Sequence, residues 1–329
     1  MKLILAPMEG VVNARMRALL TAVGGIDRCV TEFVRVTTQL LPPRVFYRYC
    51  PELQTNSCTP SGTPVYLQLL GSEPQVLAEN AARAAELGAA GIDLNFGCPA
   101  KTVNKHRGGS ILLDEPELIH RIVCAVRRAV PLGIPLSVKI RLGYEHSDYL
   151  MDVARAIAQG GANELVVHAR TKAQGYKPPA HWQRIAELKT QLAIPVIANG
   201  EVWTPSDYAR CRTLSLCNDV MLGRGLLANP GLAAQLKFGA QPVAWPAVLE
   251  LLRGFHFSLL HTCSPKHACG PAKQWLGYLK LHYSQAAVLL ARVKRITQAE
   301  LLLDILDSEL ASLSRMNPNQ TKKDLTKAG

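Results

Sequence analysis

Residues 196–225 read VIANGEVWTPSDYARCRTLSLCNDVMLGRG and contain one complete strand–helix–strand unit. Val196–Asn199 and Val220–Leu222 are apolar on consecutive positions, as in strands buried on both faces of a parallel sheet. The helix between them is marked by Thr204 as its N-cap and by Pro205 at the first helical position. The stretch therefore predicts two parallel strands joined by a helical crossover.

Similar units recur upstream, and their number predicts the fold class. Eight aliphatic runs alternating with helical segments over about 240 residues match an α/β architecture, the (β/α)8 TIM barrel. A doubly wound open sheet is the competing interpretation. It would normally carry a Gly-rich fingerprint after its first strand, and Ala6-Pro-Met-Glu-Gly10 is not one. The predicted strands are Leu3–Ala6, Cys29–Phe33, Val65–Leu69, Gly91–Asn95, Leu136–Ile140, Glu164–His168, Val196–Asn199 and Val220–Leu222.

The chain changes character after residue 242, where strand-like alternation stops and helical periodicity continues. We therefore expect a catalytic barrel over residues 1–242, a helical bundle domain over residues 243–316, and a disordered, Lys-rich tail over residues 317–329. The predicted helices of the bundle are Pro246–Ser258, Ala268–Leu281, Ser284–Ile296 and Glu300–Ser314.

The charge distribution favours a polyanionic partner. The formal net charge is +12, and no Asp or Glu occurs between Glu250 and Glu300. A solvated helical face usually mixes both signs, so we favour a nucleic-acid surface over that alternative. The basic residues in this interval are Arg253, Lys266, Lys273, Lys280, Arg292, Lys294 and Arg295.

The cysteines and the amino terminus predict a cytoplasmic protein. The nine cysteines are odd in number and form no repeated C-x-x-C frame, which is typical of reduced thiols. No apolar run approaches the roughly 20 residues that span a bilayer. The apolar run Leu3–Ala6 before Pro7 is too short for a signal-peptide core.

A segment rich in His and Cys invites a zinc interpretation, which its spacing does not support. The segment contains His261, Cys263, His267 and Cys269, and Lys266 lies within it. The spacing matches none of the paired C-x2-C and H-x3–5-H patterns. We therefore expect no metal site.

Candidate site residues follow the predicted strands, because the active site of a TIM barrel lies at the C-terminal ends of its strands. The turns Asn199-Gly200 and Gly223-Arg224-Gly225 would offer backbone N–H groups to a phosphate, with ordinary loop turns as the alternative. Lys139 at a strand end could stabilise negative charge on a reduced ring cofactor, or could form a structural salt bridge.

Cys98 lies in a Gly-Cys-Pro turn directly after a predicted strand. A free cysteine is usually a small buried hydrophobic residue. The turn would instead project this thiol over the barrel mouth, where it could act as a nucleophile or as an acid that donates a proton.

Five motifs lie at or just after the predicted strands: Leu5-Ala-Pro-Met-Glu-Gly10, Asn95-x-Gly-Cys-Pro99 with Lys101, Lys139-x-Arg141, His168-x-Arg170-Thr171 and Asn199-Gly200. Together these motifs resemble the tRNA-dihydrouridine synthases. The resemblance covers essentially the whole barrel and continues into the helical segment through Lys273-Gln-Trp-Leu276. Within the family, Thr31-Glu-Phe-Val-Arg35 and the following Gln39-Leu-Leu-Pro42 are most similar to the bacterial C-type enzymes, which act on uridine 16 of the D-loop.

The resemblance implies FMN as the bound cofactor, NADPH or NADH as the electron donor, and tRNA as the partner of a monomer without an obligate protein partner or a membrane. It implies Cys98 as the general acid, with Asn95 and Arg170 against the flipped uracil and with Arg35 and Tyr176 touching tRNA. Lys273, Tyr278 and Lys294 would face the phosphate backbone. The residues implied to hold FMN are Pro7, Met8, Glu9, Gln68, Lys139, His168, Asn199, Gly200, Glu201, Gly223 and Arg224.

Two rival functions and one departure from the family pattern accompany this interpretation. An FMN barrel could reduce a free pyrimidine or small enone, and an RNA-binding protein could retain the barrel without catalysis. Gly270-Pro271-Ala272 stands before Lys273 where relatives carry a run such as Ala-Arg-Ile, which bears on the choice of uridine 16 over another D-loop uridine.

Overall fold

A computed structural model describes residues 1–260 and 265–316, which divide into two compact units. The first comprises residues 1–226 and 232–240, and the second comprises Leu227–Gly231 and the chain from Gln241. The tail expected over residues 317–329 lies outside the described residues, as do His261 and Cys263 of the segment rich in His and Cys.

The first unit is a closed parallel barrel surrounded by helices, so the predicted TIM-barrel fold is confirmed. Neighbouring strands pair in parallel around the barrel, and the pairing of β2 with β4 closes it. Within the described residues the strands are β1 Leu3–Leu5, β2 Arg28–Val30, β3 Val34–Arg35, β4 Val65–Leu70, β5 Ile92–Phe96, β6 Leu136–Arg141, β7 Glu164–His168, β8 Val196–Asn199 and β9 Val220–Leu222.

The second barrel strand differs from the continuous strand that the sequence predicts over Cys29–Phe33. It is interrupted, and its two parts, β2 and β3, both pair with β4. At the break the backbone N–H of Gln68 donates to Thr31 Oγ1 at 3.0 Å, so a side chain replaces a ladder carbonyl. Glu32 Oε1 accepts from the N–H of Gly10 at 2.5 Å. The interruption thus anchors the loop after β1.

Helices connect consecutive strands of the first unit. The predicted cap at Thr204 is confirmed, because its hydroxyl accepts from the N–H of Asp207 at 3.1 Å and the Asp207 carboxylate accepts from the N–H of Thr204 at 3.0 Å. The helices, some of which the periodicity did not predict, are α1 Ala14–Val23, α2 Pro43–Tyr49, α3 Pro74–Glu86, α4 Lys101–Lys105, α5 Pro116–Ala129, α6 Leu150–Gln159, α7 Trp182–Gln191, α8 Pro205–Ser215, α9 Arg224–Ala228 and α10 Leu232–Phe238.

The second unit is helical, as expected. Trp275 is buried at its core, lies edge-on to Phe255 at 5.5 Å between ring centroids, and donates from Nε1 to the Leu227 carbonyl at 3.0 Å. Over the described ranges, no helix is long and apolar enough to cross a membrane. The helices of this unit are α11 Trp245–Leu260, α12 Pro265–Leu279, α13 Ser284–Val293 and α14 Ala299–Met316.

Alternate residues of every barrel strand face the interior, where one layer is apolar. Strand register places Met221 beside Ile4 and Val166 beside Ile197, so these side chains share a face. The layer closes the barrel against water below the strand ends. It consists of Ile4, Ala6, Val30, Val166, Ile197 and Met221, with Tyr66 packed against it.

A buried ion pair lies at the N-terminal end of the barrel, on the other side of this layer. Arg28 at the start of β2 pairs with Glu164 at the start of β7, and the two side chains are 9% and 12% exposed. The Arg28 guanidinium also lies 4.3 Å from the centroid of the Tyr66 ring. The pair therefore joins two strands on opposite sides of the barrel.

Replacing Glu164 by alanine should destabilise the barrel by about 3–5 kcal/mol, because Arg28 would remain charged and buried without its partner. Thermal denaturation followed by circular dichroism measures the effect. Glu86→Ala is the matched control, since Glu86 pairs with Arg83 on the surface at 3.1 Å. Equal melting temperatures for the two variants would contradict the assignment of the Arg28 pair to the core.

Candidate active site

The C-terminal ends of the strands bring polar side chains together at one end of the barrel interior. Register places Asn95 beside Lys139, Arg141 beside His168, and His168 beside Asn199. Paired residues of parallel strands share a face, and Asn199 is also paired with the inward-facing Met221. These side chains therefore line the barrel mouth above the apolar layer.

The turn that carries Cys98 is held by hydrogen bonds on both sides. Asn95 Oδ1 accepts from the N–H groups of Gly97 and Cys98, each at 2.9 Å. The Cys98 carbonyl accepts from Ser110 Oγ at 2.9 Å and from Asn104 Nδ2 at 3.0 Å. The turn is therefore fixed in place, with the thiol partly exposed at the barrel mouth.

The Cys98 thiol is held in its neutral form. Its pKa is raised, chiefly because burial disfavours the thiolate, with a smaller contribution from Glu9. The Ala100 N–H, Arg141 and Lys139 act in the opposite direction and do not outweigh burial. A protonated thiol at neutral pH can donate a proton, whereas a nucleophilic cysteine requires a lowered pKa.

Basic side chains surround His168, which is itself buried. The pKa of His168 is lowered well below its ordinary value, first by burial and then by Arg141, Lys139, Arg170 and Arg224. The imidazole is therefore neutral. Burial and Arg141 likewise lower the pKa of Lys139 to about 8. So many cations around one buried ring form a site for an anion.

Glu201 is the acidic partner within this group. Its carboxylate accepts from Arg170, lies 3.8 Å from Arg224 Nη2, and accepts from Trp203 Nε1 at 3.1 Å. Arg170 is fully buried and also donates from Nε to the Lys177 carbonyl at 2.7 Å. Arg170 Nη1 is buried without a hydrogen-bond partner among the described residues. An unused donor in a polar site indicates a ligand oxygen.

Tyr176 lies over the basic group and is half exposed. Its ring centroid is 4.9 Å from the Arg141 guanidinium and 5.0 Å from that of Arg224. The His168 ring lies 5.8 Å away at a 45° tilt. Cations on an aromatic face are attracted by its quadrupole, so Tyr176 holds the two guanidinium groups near His168.

Gly200 allows the backbone to approach His168. Its φ is +114°, and a Cβ there would lie 2.8 Å from His168 Cδ2 and 3.0 Å from Nε2. Gly223 differs, because a Cβ there would meet only Ala6 Cβ and Met8 Sδ, both at 3.7 Å. The glycine turns and the cations together fit a phosphate-bearing cofactor.

The remaining residues expected to contact a cofactor lie at the same rim. Pro7 and Met8 follow β1 and are half-buried, and the exposed Glu9 comes next. The pKa of Glu9 is raised by burial and by the charge of Glu32. Gln68 is fully buried and hydrogen-bonded to Asn95, with Asn95 Nδ2 donating to Gln68 Oε1 at 2.8 Å.

The residues expected to contact tRNA are distributed over both units. Arg35 is exposed at the end of β3 in the first unit. In the second unit, Lys273 Nζ donates to the Ile296 carbonyl at 2.8 Å and to the Lys294 carbonyl at 3.4 Å. These carbonyls follow α13, so Lys273 caps that helix. Tyr278 is half-buried and Lys294 is exposed, and their roles toward tRNA stay predictions.

Sequence reasoning missed the roles of three residues. Asp93 is fully buried, and its pKa is raised to about 6 by burial, which the hydrogen bonds from Ser137 and Gln68 partly offset. The sequence marks Arg141 only as part of the Lys139-x-Arg141 motif, and it carries no signal for Trp203. The two-residue alternation through Asn95 and Lys139 would have placed Asp93 and Arg141 inside the barrel.

No cluster of three or more His, Cys, Asp or Glu side chains that could hold a metal ion occurs in the described part of the chain. The chemistry of the donors at the barrel mouth points instead to an organic anion, because its cations outnumber its carboxylates and a metal prefers the reverse.

Comparison with known proteins identifies close relatives. The family model described as dihydrouridine synthase matches residues 4–296. A tRNA-dihydrouridine(16) synthase of Aquipseudomonas alcaligenes is 52% identical over 305 residues, covering 91% of this chain and 97% of that protein. A protein of the same name from Escherichia coli K12 is 49% identical over 295 residues, covering 89% of this chain and 94% of that protein.

Solved structures of low sequence identity share the fold. A 2-naphthoyl-CoA reductase in complex with 2-naphthoyl-CoA has a TM-score of 0.56 at 12% identity, covering 72% of this chain and 50% of that chain. Morphinone reductase has a TM-score of 0.50 at 12% identity, covering 74% of this chain and 87% of that chain. At this identity the likeness supports the barrel alone.

Gly200→Ala should lower the melting temperature of the protein, because a Cβ would both strain the positive φ and press on the His168 ring. The left-handed region costs a non-glycine residue roughly 1–2 kcal/mol before any steric clash is counted. Gly223→Ala is the matched control, since its Cβ would make only ordinary contacts. Calorimetry of both variants measures the melting temperatures. A melting temperature of Gly200→Ala equal to that of the wild type would contradict the close approach of Gly200 to His168.

Proposed function

The chain belongs to the dihydrouridine synthase family, and we propose on that premise that it reduces the C5=C6 bond of uridine 16 in the tRNA D-loop. Relatives named for this reaction are about half identical over most of the chain, which supports the substrate and the position. The observation that carries the proposal is the neutral Cys98 thiol, fixed at a basic barrel mouth.

Bound FMN fits the basic end of the site. Asn199, Gly200, Glu201, Gly223 and Arg224 would hold its phosphate end beside His168. The other implied contacts are Pro7, Met8, Glu9, Gln68 and Lys139, which line the same mouth. When bound and reduced, the flavin supplies a hydride equivalent to C6 of the uracil.

Cys98 then donates a proton to C5. Burial keeps the thiol protonated, and the hydrogen bonds to its backbone N–H and carbonyl limit where the Sγ atom can lie. A positioned acid typically contributes about 10²–10⁴-fold to a rate. Negative charge that develops on the uracil carbonyl would be stabilised by Asn95 and Arg170, both of which are already held by other side chains.

The second unit would bind the tRNA backbone. A uracil within folded tRNA has to be unstacked and flipped to reach a barrel mouth, which costs a few kcal/mol. Phosphate neutralisation offsets that cost without reading sequence, and we assign it to Lys273 and Lys294, with Tyr278 donating a hydrogen bond to a phosphate oxygen. The capping bonds of Lys273 leave its charge in place at the end of α13. Arg35 and Tyr176 would contact tRNA at the barrel mouth.

We assign NADPH as the electron donor, with NADH as the alternative. The chain contains no separate Gly-rich dinucleotide fingerprint, so the nicotinamide would occupy the place of the uracil over the flavin. Because the substrate is tRNA, we expect the protein to act in the cytoplasm. We further propose that it acts as a monomer without an obligate protein partner.

The decisive experiment combines purified protein, NADPH and unmodified tRNA, followed by mass spectrometry of nuclease fragments. A gain of about 2 Da confined to the D-loop fragment that contains uridine 16 supports the whole proposal. A mass gain at another uridine would support the proposed reaction but contradict the assignment to uridine 16. No gain in tRNA, together with NADPH-dependent reduction of a free pyrimidine, would favour the small-molecule reductase instead.

Cys98→Ala should retain flavin and its reduction by NADPH but lose dihydrouridine formation by about 10²-fold or more, because the proton donor is absent. The measurements are flavin absorbance, anaerobic flavin reduction and dihydrouridine per tRNA. Cys98→Ser is the matched control for space, since its hydroxyl is a far weaker acid. Because the pKa of the Cys98 thiol is raised, loss of activity through deprotonation of this thiol should occur at a pH above the ordinary thiol pKa. If Cys98→Ala formed dihydrouridine at the wild-type rate, Cys98 would not be the proton donor.

FMN binding to the apoprotein should weaken as pH rises above about 8, because Lys139 has a pKa of about 8 and its ammonium faces an anionic cofactor. The charged form is present below that pKa and is lost above it, so affinity should be full at pH 7 and about tenfold lower at pH 10. Quenching of flavin fluorescence measures the affinity. Lys139→Arg keeps its charge throughout, so a profile for that variant as steep as the wild-type profile would contradict the assignment.

A further inference from the structure

A row of four buried side chains runs across the barrel interior toward the Cys98 turn. Ser137 Oγ donates to Asp93, and Gln68 Nε2 donates to the other Asp93 oxygen at 2.6 Å. Asn95 Nδ2 donates to Gln68 Oε1 at 2.8 Å, and Asn95 Oδ1 accepts the N–H groups at the turn. Asp93, Gln68 and Ser137 are wholly buried and Asn95 almost so.

The chemistry of the two ends gives this row a single direction. An ionised carboxylate only accepts hydrogen bonds, so Gln68 has to present its NH2 group to Asp93. Gln68 then presents its oxygen to Asn95, which has to present its own NH2 group in return. Asn95 Oδ1 is thereby left for the two turn N–H groups. If either amide turned over, donors would face donors in a buried site.

We propose that Asp93 is a positioning residue for Cys98, which acts by fixing the orientation of the Gln68 and Asn95 amides. The amides of Gln68 and Asn95 lie between Asp93 and the turn along this row. The consequence for proton delivery to the uracil rests on the function proposed above, whereas the effect on the turn does not. If Asp93 only filled space, the position of the Cys98 turn would not depend on which atoms of the row donate and which accept hydrogen bonds.

Exchanging the carboxylate of Asp93 and the amide of Asn95, which lie on either side of Gln68, tests the direction of the hydrogen bonds in the row. In the double variant Asp93→Asn/Asn95→Asp the amide at 93 donates to Gln68 Oε1, and Gln68 Nε2 donates to the carboxylate at 95. That carboxylate still accepts the N–H groups of Gly97 and Cys98, so the two bonds of Gln68 are remade in reverse while the bonds to the turn keep their direction. Each single variant instead leaves one mismatched or undirected amide.

The measurement is amide hydrogen exchange at Gly97 and Cys98, which each donate to Asn95 Oδ1. We expect each single variant to exchange at least about tenfold faster and the double variant to return to within about threefold of wild type. Ser137→Ala leaves the Asp93 carboxylate as the acceptor for Gln68, so the Gly97 and Cys98 amides of this variant should exchange at the wild-type rate. The proposal would be overturned if the exchange rate in the double variant were raised by the combined effects of the two single substitutions.

Kinetics of Asp93→Asn test the consequence for the reaction. We expect the turnover of tRNA uridine to fall by about tenfold, while KM for tRNA changes by less than about twofold, because only the position of Cys98 is altered. A change confined to KM would overturn the assignment of Asp93 as a positioning residue. If the wild-type protein forms no dihydrouridine, the proposed function fails while the exchange measurements still decide the direction of the row.

Discussion

Parallel closure of the barrel is the constraint on which the site depends. Because β2 pairs with β4 and β1 pairs with β9, the sheet closes on itself and alternate side chains face one interior. Parallel strands end at the same rim, so residues far apart in the chain meet there. Cys98 after β5 and Gly200 after β8 reach one mouth for this reason alone.

The interior is divided between apolar and polar layers, and this division sets the chemistry. An apolar layer separates the Arg28–Glu164 pair from the mouth, and Lys139, His168 and Cys98 above it are buried or partly buried. Burial there disfavours charge, so it lowers the pKa of Lys139 and His168 and raises that of Cys98. One physical cause thus keeps an imidazole neutral among cations and keeps a thiol protonated beside them.

The site therefore holds its parts by hydrogen bonds rather than by shape alone. Glu201 gathers Arg170, Arg224 and Trp203, and Asn95 holds the turn of Cys98. Directional bonds fix the orientation of these side chains at the rim where the strands end.

The sequence by itself determined the barrel, the helical second unit and the strand-end positions of Cys98, Lys139 and His168, because hydrophobic periodicity and turn residues are local signals. Only the tertiary structure decided that the second strand breaks at Thr31–Phe33, since that break depends on a hydroxyl meeting a strand distant in the chain. It also decided that Asp93 is buried and that Arg170 is bound to Glu201. Such pairings depend on register across the closed barrel, which no local pattern encodes.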